Sequence, residues 1–161
     1  MEHTKKRPIE IITLLNPAFC GQTIRYCIRK YEKKNSLGMP YSLVFFVLPL
    51  VLHKETRDKI PSISRKPFHA WLNDNQTILI GLAERIKQLV PITKDSISFL
   101  VNCNAIKIEN ARLKVIEFNS KPFEITSLEI QDCFQKAETV GRWFASAGTT
   151  STIYSILGVQ P

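Results

Sequence analysis

The sequence predicts an α+β fold, mainly helical, with a winged helix-turn-helix-like core, one β-hairpin and additional flanking helices. Three observations lead there. Apolar residues recur at helical spacing in several separate segments. One stretch, Ile106 to Val115, instead alternates with period two around Asn110-Ala111. Two helical patterns divided by Pro91 stand directly ahead of that alternation, which gives the order helix, turn, helix, hairpin over residues 75–118.

The chain of 161 residues suits a single domain and can bury a core without disulfides or metals. Residues 9–15 are apolar and read as a short strand or the lead-in to a helix. Asn16-Pro17 is a helix start, because Asn can cap the free N–H groups and Pro fits the first turn. The helix predicted to follow places Cys20, Ile24, Cys27, Ile28 and Tyr31 on one face and Arg25, Arg29 and Lys33 in a basic stripe on another. Asn35-Ser36-Leu37-Gly38 breaks it. Residues 41–54 are apolar nearly all round and therefore buried, either as a helix kinked by Pro49 or as a pair of short strands. Pro61, the serines after it and Pro67 mark a loop, followed by a short amphipathic turn with Phe68 and Trp71.

Ile78, Leu79, Leu82, Ile86 and Leu89 form the first helix of the core, which Pro91 is expected to stop. Thr93 would cap a second, carrying Ile97, Leu100 and Val101. In the hairpin, Ile106, Ile108, Leu113 and Val115 point one way, and Lys107, Glu109, Arg112 and Lys114 the other. Thr126-Ser127-Leu128-Glu129 has the spacing of a capping box and opens a long helix with Ile130, Cys133, Phe134, Ala137, Val140, Gly141 and Phe144 on its apolar face. Gly148 ends that helix, and a short final helix follows. Residues 127–161 form helix-patterned segments that end in apolar and aromatic residues almost to Pro161, so they are expected to dock in the core or in a partner.

Composition excludes several functions. There is no G-x-x-x-x-G-K-[ST] loop and no G-x-G-x-x-G turn. Cys20, Cys27, Cys103 and Cys133 include no C-x-x-C pair, and Cys20, Cys27 and Cys133 fall on apolar helical faces, so the cysteines read as small buried hydrophobes of a reducing compartment, with no metal and no cofactor expected. His3, His53 and His69 have no nucleophile or carboxylate partner visible in sequence, and no catalytic residue is assigned. The longest apolar run, residues 43–52, contains Pro49 and falls far short of the roughly 20 residues of a membrane span. A cytoplasmic protein with no membrane contact is expected. The net charge of +8 suits nucleic acid or an acidic partner surface.

Two residue sets follow. For DNA, the wing would offer Lys107, Arg112 and Lys114, joined by Arg25 and Arg29 of the first helix. For a protein partner, Arg142 and Trp143 lie off the apolar face of the last long helix, Trp143 by about 120° at ~100° per residue, and Tyr154 follows in the final helix.

Several short motifs also agree in order and spacing with a known family. Leu15-Asn16-Pro17-Ala18-Phe19, Gly38-Met39-Pro40, Leu48-Pro49-Leu50-Val51-Leu52-His53, Gly141-Arg142-Trp143-Phe144-Ala145 and Ile153 through Pro161 resemble the middle components of bacterial three-component ABC ATPase systems. The resemblance implies a non-enzymatic adaptor between an ABC ATPase of the SMC type, the class of chromosome maintenance and DNA repair, and a third, effector component. It implies a setting of conflict with phage or other invading DNA, with DNA possible within the complex. A free-standing winged-helix DNA-binding transcriptional regulator is the alternative.

Overall fold

In the computed structural model, residues 15–118 and 127–160 are described. The readings made for residues 9–14 and Thr126 lie outside them. Helix α1 (Pro17–Glu32) starts as expected, with Asn16 Oδ1 accepting from the Ala18 N–H at 2.8 Å and Pro17 in the first turn. A two-residue strand, β1 (Met39–Pro40), leads into two short helices, α2 (Tyr41–Val44) and α3 (Val47–Val51). The apolar run is therefore helical. Pro49 does not kink it, because it falls in the first turn of α3, where its missing N–H would have had no intrahelical acceptor.

Next come α4 (Lys54–Lys59), a loop, α5 (Phe68–Asp74), and a 3-10 turn over Gln76–Leu79. The long helix α6 (Leu82–Asn102) then runs through Pro91 without interruption, so the two helices expected on either side of Pro91 are one. Ile78 and Leu79 belong to the 3-10 turn instead, and Gly81, in the left-handed region at φ +73°, separates the two. Pro91 is tolerated because it and Lys87, whose carbonyl loses its donor, are both on the exposed side. Thr93, Ser96, Ile97 and Leu100 bury the opposite side and anchor the helix after Pro91.

The hairpin is as read: β2 (Ile106–Glu109) pairs antiparallel with β3 (Arg112–Val115), Ile108 opposite Leu113. Asn110 and Ala111 turn it with φ of 51° and 59°, the positive pair that a two-residue turn between twisted strands requires. Strand β1 adds to the far edge of β3, giving the sheet order β1-β3-β2. Helix α7 (Leu128–Ser146) is capped by Ser127, whose Oγ accepts from the Ile130 N–H. Helix α8 (Thr150–Leu157) is capped by Thr149 and closed by left-handed Gly158.

The centre of the molecule is the α1–α7 pair. Gly141 lets them meet: a Cβ there would stand 2.3 Å from the Cys27 carbonyl oxygen. Helix α6 packs on another side of α1, where Gly21 faces Leu100. Leu113 and Met39 bring the sheet onto the same core, and Ile153 and Leu157 dock α8 there. Cys20, Cys27 and Cys133 are buried cysteines outside any disulfide, and burial pushes Cys20 up to about 12 and Cys133 to about 11. No helix among the described residues is long and apolar enough to cross a membrane.

Candidate functional site

The most elaborate construction on the surface is the loop of residues 60–67, held by one side of α7. Four α7 side chains, the first three spaced three residues apart and the last adjacent to the third, donate to its backbone carbonyls. Lys136 Nζ donates to Ile60 O, and Thr139 Oγ1 lies 2.8 Å from Pro61 O and 3.2 Å from Ser62 O. Arg142 Nη2 reaches Ser62 O at 3.4 Å and Thr139 Oγ1 at 3.1 Å. Trp143 Nε1 donates to Lys66 O at 2.9 Å. A loop normally leaves its carbonyls to water. Here the backbone faces the helix, and Ile63 stands out at 85% exposure beside exposed Arg65 and Lys66.

Arg57 anchors the segment just before the loop. Only 2% exposed, it donates to Val51 O at 3.0 Å and pairs with Glu129 at 2.9 Å and Asp132 at 3.2 Å, tying α4 to α7. The desolvated guanidinium is matched on every side, as a buried cation must be. Trp143 is 5% exposed and stacks at 4.6 Å between centroids with Trp71 and 5.6 Å with Phe68 of α5. It lies off the apolar face because α7 has two covered sides, one against α1 and one under α5 and the loop. Trp143 therefore does not stand out as a partner anchor in this chain. Tyr154 is half-buried; its hydroxyl donates to Ser42 O at 3.1 Å and its ring packs edge-on against Phe46.

The structure divides the residues proposed for nucleic acid. Arg25 is buried and does not face solvent: its Nε donates to Ala105 O and its Nη2 to Ile116 O at 2.8 Å, fastening both ends of the hairpin to α1. Burial draws its guanidinium below the ordinary value, and Glu117 at 3.7 Å opposes this. Arg29 is exposed, 3.5 Å from the same carboxylate. On the hairpin, Lys107 lies 2.9 Å and Lys114 3.7 Å from Glu109, whose carboxyl they hold below the usual range, Lys107 most. Arg112 Nη1 donates to Gly38 O at 2.8 Å across the sheet edge. Lys107, Lys114 and Arg112 thus share one face of the hairpin, with Arg25 withdrawn from it.

A cleft of about 260 Å³ lies between α4, the 3-10 turn and the start of α6, lined by His53, Thr56, Lys59, Thr77 and Arg85 among others. Among the described residues no group of three or more His, Cys, Asp or Glu side chains could hold a metal ion. Sequence reading missed Lys136, Thr139 and Arg57, because their role appears only once the 60–67 loop is laid on α7. The signal available was the repeat of donor side chains at 136, 139 and 142–143.

Fold and surfaces define a small, mainly helical α+β protein whose longest helices hold a sheet and a loop in place. The chain belongs to the family described as ABC-three component (ABC-3C) system Middle Component 3, whose model matches residues 4–161. No curated protein and no solved structure matches it.

Proposed function

We propose that this chain is a non-enzymatic adaptor of a bacterial ABC-3C system, joining an SMC-type ATPase to an effector component in the cytoplasm, in defence against phage or other invading DNA. The observation that carries the adaptor reading is the clamp of α7 on the 60–67 loop. Fixing the backbone of a loop lowers the entropy lost when its side chains bind, so an outward Ile63 flanked by Arg65 makes a pre-organised contact. Its complement is an apolar pocket with an acidic rim. In this reading Arg142 and Trp143 shape the partner surface from behind, and Tyr154 locks α8 onto the body in the same manner. The whole of residues 1–161 acts as one domain.

The test is co-purification of the tagged chain with the other two components of its system, with and without ATP and DNA. Wild type should recover a stoichiometric complex, and Ile63→Asp with Arg65→Glu should lose one partner while the chain stays folded. Full recovery with the folded double variant would remove the loop from the interface. Recovery of no partner under any condition would remove the adaptor reading itself.

A second reading, a winged-helix DNA-binding regulator, is favoured by the order of the elements. Helix α1, β1, α2–α3, α6 and the β2–β3 hairpin, with sheet order β1-β3-β2, follow the winged-helix sequence of helix, strand, two helices and wing. Such a module would span residues 17–115 in place of 75–118, with residues 52–81 inserted before its second major helix. Lys107, Lys114, Arg112 and Arg29 would face phosphates. Binding to duplex DNA that weakens steeply with salt, and weakens further in Lys107→Gln with Lys114→Gln, is the expected outcome. Salt-insensitive or absent binding would exclude it.

A further inference from the structure

We infer that the cleft between α4 and α6 is a binding site for a phosphate group, built from Arg85, Lys59, His53 and the hydroxyls of Thr56 and Thr77. The inference is independent of the adaptor reading and concerns a different surface from the 60–67 loop.

Arg85, one of the residues lining the cleft, carries an unsatisfied donor. Arg85 sits in the first turn of α6, with Nη1 donating to Ile80 O at 3.2 Å and Nη2 to Ile78 O at 3.3 Å. Those two bonds fix the plane of the guanidinium. Its Nε is buried and has no hydrogen-bond partner. Buried donors are almost always satisfied, so an orphan on a positively charged group points to an acceptor from outside the chain. Arg85 also forms no ion pair among the described residues. Burial draws its guanidinium below the ordinary value, with Glu55 alone among the nearby groups opposing. The neighbouring cation, Lys59, is held by Thr77 Oγ1 at 2.9 Å and likewise has no carboxylate partner.

The remaining lining combines hydrogen-bonding groups with the Glu55 carboxylate and the apolar Ile78 and Ile80. His53 Nδ1 and Thr56 Oγ1 are 2.8 Å apart, which leaves the second ring nitrogen of His53 for another contact. The Thr77 hydroxyl accepts from Lys59 and keeps its own proton to donate. Burial and Arg85 lower the His53 pKa, so the imidazole is largely neutral at neutral pH and adds no third charge. Two cations and several neutral donors converging from three elements outweigh the one carboxylate, Glu55, and suit an oxyanion with many acceptor lone pairs in a tetrahedral arrangement. A planar carboxylate could meet fewer of them. The volume, about 260 Å³, also leaves room for a small group esterified to the phosphate.

The probe is inorganic phosphate, titrated into the full chain against chloride at matched ionic strength, while the imidazole NMR signals of His53 and His69 are followed. His53 is expected to shift with a saturable midpoint, and exposed His69 to stay still. Loss of one charged donor should weaken the midpoint roughly tenfold. Arg85→Gln tests the buried donor. Should it fail to fold, Lys59→Gln, at an exposed position, carries the test alone. No saturable shift at His53, an unchanged midpoint in Lys59→Gln, or acetate binding with the same midpoint as phosphate would each overturn the assignment.

Discussion

The loop-facing side of α7 and the β2–β3 hairpin carry the same kinds of residue, basic side chains beside apolar ones, yet they behave as opposites. On α7, Lys136, Thr139, Arg142 and Trp143 each have a backbone carbonyl to donate to, and Trp143 is shut between α5 and the loop. On the hairpin, Lys107 and Lys114 pair with Glu109 in partly exposed ion pairs that water and salt weaken. Residue type did not distinguish the two. What distinguishes them is whether a second layer covers the face, and that layer, residues 60–74, lies far away in sequence.

This contrast orders the consequences of mutation. The largest effect is expected at Trp143. Trp143→Ala removes the indole from the Trp71–Phe68 stack and leaves Lys66 O without its donor, at about 4 kcal/mol in denaturant unfolding. A loss below about 1 kcal/mol would mean that α5 does not depend on this face. An intermediate effect is expected at Thr139, whose hydroxyl is its only tie to the loop. Thr139→Val should cost about 1 kcal/mol and speed proteolytic nicking between residues 62 and 66. Unchanged nicking would show that the loop is held by its neighbours alone.

Much of the helical framework was legible in sequence because caps and apolar spacing are local signals. Asn16-Pro17 starts α1, and Gly148 and Gly158, both with positive φ, stand where α7 and α8 stop. Pro91 and Pro49 misled for one reason: the penalty for proline depends on whether the lost donor was needed. That is decided by exposure at Pro91 and by position in the turn at Pro49. Strand β1 was invisible because two residues carry no period, and its place is set by pairing with β3 across a long sequence gap. The stripe of Arg25, Arg29 and Lys33 was correct as geometry, and Arg29 and Lys33 are exposed, but Arg25 is buried. The hairpin covers its first member, and no helix-wheel argument contains the hairpin.

A smaller change, and of opposite sign, is expected at the hairpin turn. Ala111 holds φ at 59° while exposed, a conformation that strains a residue bearing a Cβ. Ala111→Gly should relieve that strain and stabilise the fold by roughly 0.5 kcal/mol net, after the greater freedom of glycine in the unfolded chain is set against it.

The smallest effect is expected from Lys107→Gln with Lys114→Gln. Each loses one partly exposed pairing with Glu109, so unfolding free energy should move by no more than about 0.5 kcal/mol. Arg112 is left intact in this variant because its bond to Gly38 O ties β3 to the loop before β1, and its removal would confuse folding with binding. Near-neutral stability is what makes the pair informative. Any loss of nucleic-acid or partner binding in the double variant then reports on the hairpin surface itself. A stability loss above about 1 kcal/mol would instead place the hairpin lysines with the α7 donors, as structural groups, and erase the contrast between the two regions.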